Sequence, residues 1–504
     1  MDNKFFKYFR YTLRVIFLLI IAQFNVNALA GDQKVQAKTV PIFRSEKILN
    51  GEWLFQPAYG KAEAAPDTTA WGKIRVPGAW ATHNTWWTRV PEISLKGTGP
   101  SWNVDMSTLN KSWYERSFIV PENWKGKTVE LEIERVSTDA VIFINGNKAG
   151  HVEWYSGKVD ITPWVQWGKE NKIRILVVAT PEQDKVAVLM GTAESQVTFS
   201  NASLPTRGIT GNIILGCRPT GLRIEDCFVK TSFRKKTIEA EIEFSNYRPN
   251  EQIITVSKMS DAKGVVVKQF TDTLILNGKQ SAFAKTSSRW ENPVLWDLDS
   301  PYLYTYTFMV YKSGVLVDSY DQTFGFREFW IDGKNFYLNG TRINLRPTLN
   351  PPGDGMTELI AGCISGLKKT GYNFAEFWPS NYDQRGDIRD LNEIIEVADK
   401  EGFLLSGVIL PFTSYIVDNT WSFRWDQPGV KEKWEKRMLL AFKKQRNHPS
   451  VVMWGTAPNF YGNPQDQNPL LLGQKGWIKD NAFWSRNAAA AQEALAVIKK
   501  HDNT

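Results

Sequence analysis

Cysteine and histidine are both scarce. The 504 residues include three cysteines, Cys217, Cys227 and Cys363, and four histidines. The cysteines are odd in number and widely dispersed, without metal-ligand spacing, so the pattern indicates neither a disulfide framework nor a zinc site. A single pair between Cys217 and Cys227 in an oxidising compartment is the alternative. Four histidines supply poorly either a His-built metal centre or a Ser-His-Asp triad, and no metal or other cofactor is expected. Long apolar runs are lacking too: the stretch around Val15 to Ala22 is shorter than the roughly 20 residues that span a bilayer. No internal repeat or low-complexity tract interrupts the chain.

Charge of one sign is not concentrated. The formal net charge is +8, but four of the basic groups, Lys4, Lys7, Arg10 and Arg14, sit in the first stretch, and the rest lie among acids, as in Arg223-Ile224-Glu225-Asp226. A solvated surface accounts for that pattern better than a nucleic-acid footprint. The basic start, the apolar run and Ala28-Leu29-Ala30 before Gly31 have the layout of a secretory signal peptide. The expectation is a leader over residues 1–30, a periplasmic or secreted product, and no membrane attachment once the leader is removed.

What the chain has in surplus is aromatic side chains, 13% of residues with 21 Trp. Surplus Trp serves either as filling in β-rich cores or as flat surfaces for the C–H faces of sugar rings. The length suggests about three domains. From Gly31 to Cys217 short strands alternate with Gly, Pro and Asn turns. Thr128 to Glu134 alternates strictly, which directs Val129, Leu131 and Ile133 inward, and Asn145-Gly146 supplies the positive backbone angles of a tight hairpin. A second strand-rich segment, 218–325, suits an immunoglobulin-like sandwich. After Phe326 the regime changes. Helical windows at Met356 to Thr370, Ile388 to Glu401 and Val430 to Arg446 precede the apolar runs Asn373 to Phe377, Phe403 to Leu410 and Val451 to Trp454, which argues parallel βα units. An Ala-rich helix follows from Asn487 to Lys500.

Several segments, in order, resemble glycoside hydrolase family 2. They are Asn50-Gly51-Glu52-Trp53, Val76-Pro77-Gly78-Ala79-Trp80, Trp113 to Phe118, Ile142 to Gly150, Arg207-Gly208-Ile209-Thr210-Gly211, Ser300-Pro301-Tyr302-Leu303-Tyr304, and the entry Phe324-Gly325-Phe326-Arg327-Glu328 with Phe336 to Gly340. The resemblance implies a sugar-binding-like jelly-roll β-sandwich over 31–217, an immunoglobulin-like β-sandwich over 218–325, and the amino-terminal half of a (β/α)8 TIM barrel over 326–504. A complete barrel takes about 250 residues, so an incomplete one of about four or five βα units is expected, inactive on its own. The implied activity is hydrolysis of O-glycosidic bonds in oligo- or polysaccharides, with a non-catalytic carbohydrate-binding relative as the alternative.

Retaining glycosidases use two carboxyl groups about 5 Å apart, one as proton donor and one as nucleophile. In the family the proton donor is a Glu that ends a strand like Arg446-Asn447-His448-Pro449-Ser450-Val451-Val452-Met453-Trp454. Here the next residues are Gly455-Thr456-Ala457-Pro458-Asn459-Phe460, and Asn459 falls where the family has its acid. An amide hydrogen-bonds a sugar hydroxyl but delivers no proton. Glu376, in Ala375-Glu376-Phe377-Trp378-Pro379, is the first candidate for a substitute acid or hydroxyl ligand, or else a surface or salt-bridged side chain. Asp466, in the turn-rich loop Tyr461 to Pro469, is the second, or else stiffens a turn. Trp378 and Trp454 either floor a sugar subsite or fill the barrel's upper layer. Asn447 and His448, at the amino end of their strand, read as structural. The family's nucleophile belongs to a later strand and has no counterpart in this chain.

Overall fold

The computed structural model describes residues 43–58, 66, 71–78, 80, 109, 111–137, 139–153, 156–178, 208–277, 282–349, 357–376, 391–408, 429–455 and 482–502. The expected leader lies outside these residues, as do Trp378, Asn459 and Asp466.

The first strands are β1 (Ser45–Ile48), β2 (Gly51–Pro57), β3 (Gly72–Val76), β4 (Lys111–Ile119), β5 (Thr128–Ile133), β6 (Val136–Ser137), β7 (Asp139–Ile144), β8 (Asn147–Val152), β9 (Gly157–Asp160), β10 (Glu170–Val178), β11 (Gly208–Ile209) and β12 (Ile213–Arg218). They pair as two main sheets, β1-β12-β5-β9 and β3-β2-β4-β10-β7-β8. The two share one core, into which Trp53, Phe55, Val129, Leu131, Ile133, Ile142 and Ile175 are fully buried. Val129, Leu131 and Ile133 point inward because successive side chains of a strand alternate faces. At the β7–β8 hairpin Asn145 and Gly146 take φ values of 50° and 86°. Trp80, from the Val-Pro-Gly-Ala-Trp segment, is buried and donates its indole N–H to the Tyr114 hydroxyl at 2.6 Å.

The second sandwich comprises β13 (Arg223–Ser232), β14 (Thr237–Ser245), β15 (Glu251–Ser260), β16 (Val266–Leu276), β17 (Ala282–Arg289), β18 (Leu303–Lys312) and β19 (Val315–Gly325). Its sheets are β13-β14-β17 and β16-β15-β18-β19. The strict alternation of β14 buries Ile238, Ala240, Ile242 and Phe244 against Tyr306, Phe308 and Phe324. Cys217 on β12 and Cys227 on β13 are both buried free thiols, not a disulfide; burial pushes each thiol pKa up.

Beyond Phe326 a small antiparallel sheet, β20 (Phe329–Asp332), β21 (Asn335–Leu338) and β22 (Thr341–Ile343), leads into a parallel one. The parallel strands are β23 (Pro347–Leu349), β24 (Phe374–Glu376), β25 (Leu404–Val408) and β26 (Val451–Gly455), in that spatial order. Between them run α1 (Thr357–Lys369), α2 (Leu391–Glu401) and α3 (Val430–Gln445), and α4 (Ala482–His501) follows. Each helix lies within a helical window expected from the sequence or overlaps it closely. The helices pack on one side of the sheet, where Ile364, Ile395, Trp434, Phe442 and Ala494 join Ala375, Leu405 and Val451 in one core. Strand, helix, parallel strand is the βα pattern of the sequence reading; among the described residues four such strands form an open sheet, not a closed barrel.

Candidate active site

Four parallel strands present their carboxyl ends together, the edge at which α/β enzymes assemble their chemistry. Glu376 is the last residue of β24 and is exposed. In the parallel register it pairs with Leu349 of β23 and Ser406 of β25. The strand's alternation fixes its side. Ala375 packs among the helices, whereas Phe374, two residues before Glu376, packs with Trp296 and Leu404 on the opposite face. Period two therefore sets Glu376 on that inner face, opposite the described helices, with Ser406 beside it on the next strand. Glu376 is the only carboxylate in these four strands.

The opposite, amino end of the sheet is closed by the second sandwich. Trp296 is fully buried there and donates its indole N–H to the Asp399 carbonyl at 2.8 Å. Asn339 donates from its side chain to the Trp296 carbonyl at 2.9 Å. Arg327 reaches Pro449 O at 3.0 Å and Val451 O at 2.6 Å. Burial holds that guanidinium below its ordinary range, with Asp502 and Asp399 working against the shift.

The Arg446 to Ser450 segment proves to be a set of anchors. Arg446 pairs with Asp226 of β13 and lies over the Phe228 ring, 4.4 Å from its centroid. The Asn447 side chain bonds the backbone of β13. His448 Nδ1 is 2.5 Å from Asp399 Oδ2, and Asp399 Oδ1 accepts the Ser450 N–H at 3.0 Å. These residues fix the amino end of β26, remote from its carboxyl end where chemistry belongs.

The sequence candidates therefore separate. Glu376 stands at the carboxyl edge on the inner face. Trp454 does not floor an open surface there: its ring lies 4.6 Å from that of Phe442 on α3, and its Nε1 is 3.3 Å from Asp502 Oδ2 beyond α4. It is half-buried against the helices. Asn459, Asp466 and Trp378 fall outside the described residues. One residue that bears on the site carries no signal in the sequence: Ser406, whose place beside Glu376 depends on strand register. At the other end of the sheet, nothing local marks Asp399, one of several acids around α2, as the partner of His448.

Two family models match the chain, one for the galactose-binding-like domain of glycosyl hydrolase 2 over residues 53–198 and one for glycosyl hydrolases family 2 over 222–327. Among similar proteins, a β-glucuronidase of Formosa agariphila is 24% identical over 358 residues, 68% of this chain and 35% of that one. The β-galactosidase BoGH2A of Bacteroides ovatus is 26% identical over 424 residues, 82% of this chain and 46% of its own. The crystal structure of a Bacteroides uniformis β-glucuronidase superposes with a TM-score of 0.65 at 20% identity, covering 92% of this chain and 52% of that one. The chain thus spans about half the length of these relatives, or less. Both domain models fall in order on the two sandwiches, and with the matching relatives they establish that the chain belongs to glycoside hydrolase family 2.

Proposed function

We propose that the protein hydrolyses O-glycosidic bonds of β-linked oligo- or polysaccharides outside the cytoplasm, with the parallel sheet serving as part of a (β/α)8 barrel. The proposed organisation is a leader over 1–30, a jelly-roll domain over 31–217, an immunoglobulin-like domain over 218–325 and barrel from 326 onward. One observation carries the catalytic reading: Glu376 ends a parallel strand on the inner face of the sheet, exposed and beside Ser406. A carboxyl group there can protonate a departing sugar oxygen or hold a hydroxyl, and the relatives named β-glucuronidase and β-galactosidase supply the β-glycoside class. The second carboxylate that the reaction requires lies outside these four strands, and Asp466 is the second candidate acid.

A specific observation favours a second reading, a carbohydrate-binding protein without hydrolytic activity. Asn459 stands where family members carry the acid, and an amide cannot give up a proton. One pair of measurements on the full-length protein separates the two: sugar release from β-glucuronides and β-galactosides, aryl and natural, and calorimetric binding of the same sugars. Hydrolysis supports the enzyme. Binding without hydrolysis supports the alternative, and neither binding nor hydrolysis across these classes removes both.

A further inference from the structure

β16 runs eleven residues, Val266–Leu276, and among the described residues it is bonded along one side only, to β15. Its other side presents backbone donors and acceptors to any strand that can lie against them. Two observations narrow what that strand can be.

The first is a carboxylate in difficulty. Lys268, Phe270, Asp272 and Leu274 share one face of β16 by alternation, and Phe270 and Leu274 pack against the sandwich core. Asp272 is drawn into the same layer: its Oδ2 is buried and has no hydrogen-bond partner among the described residues. A buried acceptor left unpaired is costly, and desolvation pushes the Asp272 carboxyl pKa up.

The second is the spacing of charge. Lys268 and Asp272 lie symmetrically about Phe270. In an antiparallel pair of identical strands centred on Phe270, each Lys268 falls directly opposite the second copy's Asp272. Side chains so placed have Cβ atoms about 5 Å apart, within reach of an ion pair. The same register sets Gln269 against Thr271, within the regular part of the strand between the bulge at Val267 and Leu276. A foreign strand of plain apolar alternation would strand both charges at the seam, which is how inward charges ordinarily protect an edge. A second copy satisfies both charges twice, because a two-fold contact repeats every pair.

We propose that β16 is a self-pairing edge, extended by a second copy of this chain antiparallel about Phe270, with Lys268 of each copy against Asp272 of the other. The register shift opposite Met259–Ser260 bulges the strand at Val267 and keeps the regular ladder short, so association is concentration-dependent.

Sedimentation analysis of the full chain across a concentration series tests this, with charge reversals as the discriminating variants. Lys268→Asp sets carboxylate against carboxylate, and Asp272→Lys sets ammonium against ammonium; each weakens dimerisation by about tenfold or more, the effect of replacing two attractive cross-strand pairs with two repulsive ones. The double variant Lys268→Asp/Asp272→Lys dimerises like the parent. The two single variants, monomeric alone, form a heterodimer when mixed: the carboxylate introduced in one faces the ammonium introduced in the other, and the unaltered Lys268 faces the unaltered Asp272. A parent that stays monomeric at every concentration overturns the proposal. So do single variants that dimerise unchanged, or a mixture that fails to associate. Should Asp272→Lys lose its β-sheet circular dichroism, Lys268→Asp decides alone: unchanged dimerisation overturns the proposal, and its loss with folding intact supports it.

Discussion

The side chain of Asn447 stands in for a strand against Val229. Its Oδ1 accepts the Val229 backbone N–H at 2.8 Å, and its Nδ2 donates to the Cys227 carbonyl at 2.8 Å. β13 is the edge of its three-stranded sheet, so these two backbone groups point away from β14 and would otherwise be buried without partners. One amide thus satisfies the edge of the second sandwich and ties it to the turn that starts β26.

Replacing Asn447 by Ala leaves a buried donor and a buried acceptor unpaired. The expected loss is roughly 1–3 kcal/mol of stability per orphaned group, read from urea unfolding. Asn447→Asp keeps the acceptor for Val229 and loses the donor for Cys227, so it too destabilises. An Asn447→Ala protein as stable as the parent would mean that water replaces the amide.

The Asp399–His448 contact gives stability a dependence on pH near neutrality. Burial opposes the charged imidazole, but the Asp399 charge and its hydrogen bond prevail and raise the pKa above the ordinary 6.5. A group with a raised folded pKa contributes fully below its unfolded value and loses that contribution as pH rises through the folded one. Stability therefore falls as pH climbs above about 6.5, and His448→Gln flattens that limb. Denaturant midpoints of parent and variant across pH 6 to 9 check it; parallel curves would detach His448 from the effect.

An acid limb comes from the opposite kind of group. Lys444 of α3 lies 3.0 Å from Glu132 and 3.1 Å from Glu134 on the first sandwich, and Lys158 lies 3.0 Å from Glu132. Burial disfavours the Glu132 carboxylate, yet Lys444 and Lys158 outweigh it and lower the pKa from 4.5 to about 2. The stabilisation is present above 4.5 and drains away as pH falls toward 2. Lys444→Ala lets the Glu132 pKa rise and makes this acid limb shallower, measured by unfolding between those pH values.

How much of this was legible in sequence follows from the range of each interaction. The alternation of Thr128 to Ile133 and of Thr237 to Ser245 is a local, period-two signal, and it places Val129, Leu131, Ile238 and Phe244 on buried faces without knowledge of any partner strand. Asn145-Gly146 is equally local, because a positive φ is a property of the residue itself. The βα windows after Phe326 are visible for the same reason. The partner of Asn447 is not, since Val229 lies 218 positions away and an Asn in a turn looks the same whether it caps a strand or faces water. Trp454 shows the limit within one strand: both sides of a parallel strand are covered, so periodicity cannot choose between the inner face and Phe442. The irregularity between β25 and β26, where Ser406 pairs with Met453 after Leu405 pairs with Val451, shifts the alternation there and leaves no trace in composition.

Glu376 is the one acid singled out in the sequence that stands at the carboxyl edge of the described sheet. If it protonates the leaving oxygen, its importance depends on how badly that oxygen needs a proton. A phenolate from an activated aryl glycoside departs with little help, whereas a sugar alkoxide does not. In the full-length protein Glu376→Gln is therefore expected to depress cleavage of natural β-glycosides by roughly 10²-fold or more, within the usual range of general acid catalysis, and to affect activated aryl substrates far less. Asn459→Ala, which removes an amide and no proton, is expected to weaken sugar binding and leave the ratio of the two substrate classes unchanged. Comparing kcat/KM for both classes in the three proteins distinguishes the roles. Equal losses on aryl and natural substrates would assign Glu376 to holding a hydroxyl, because a lost binding contact does not sense the leaving group. No loss on either would take it out of the site, and the acid would then have to be sought first at Asp466.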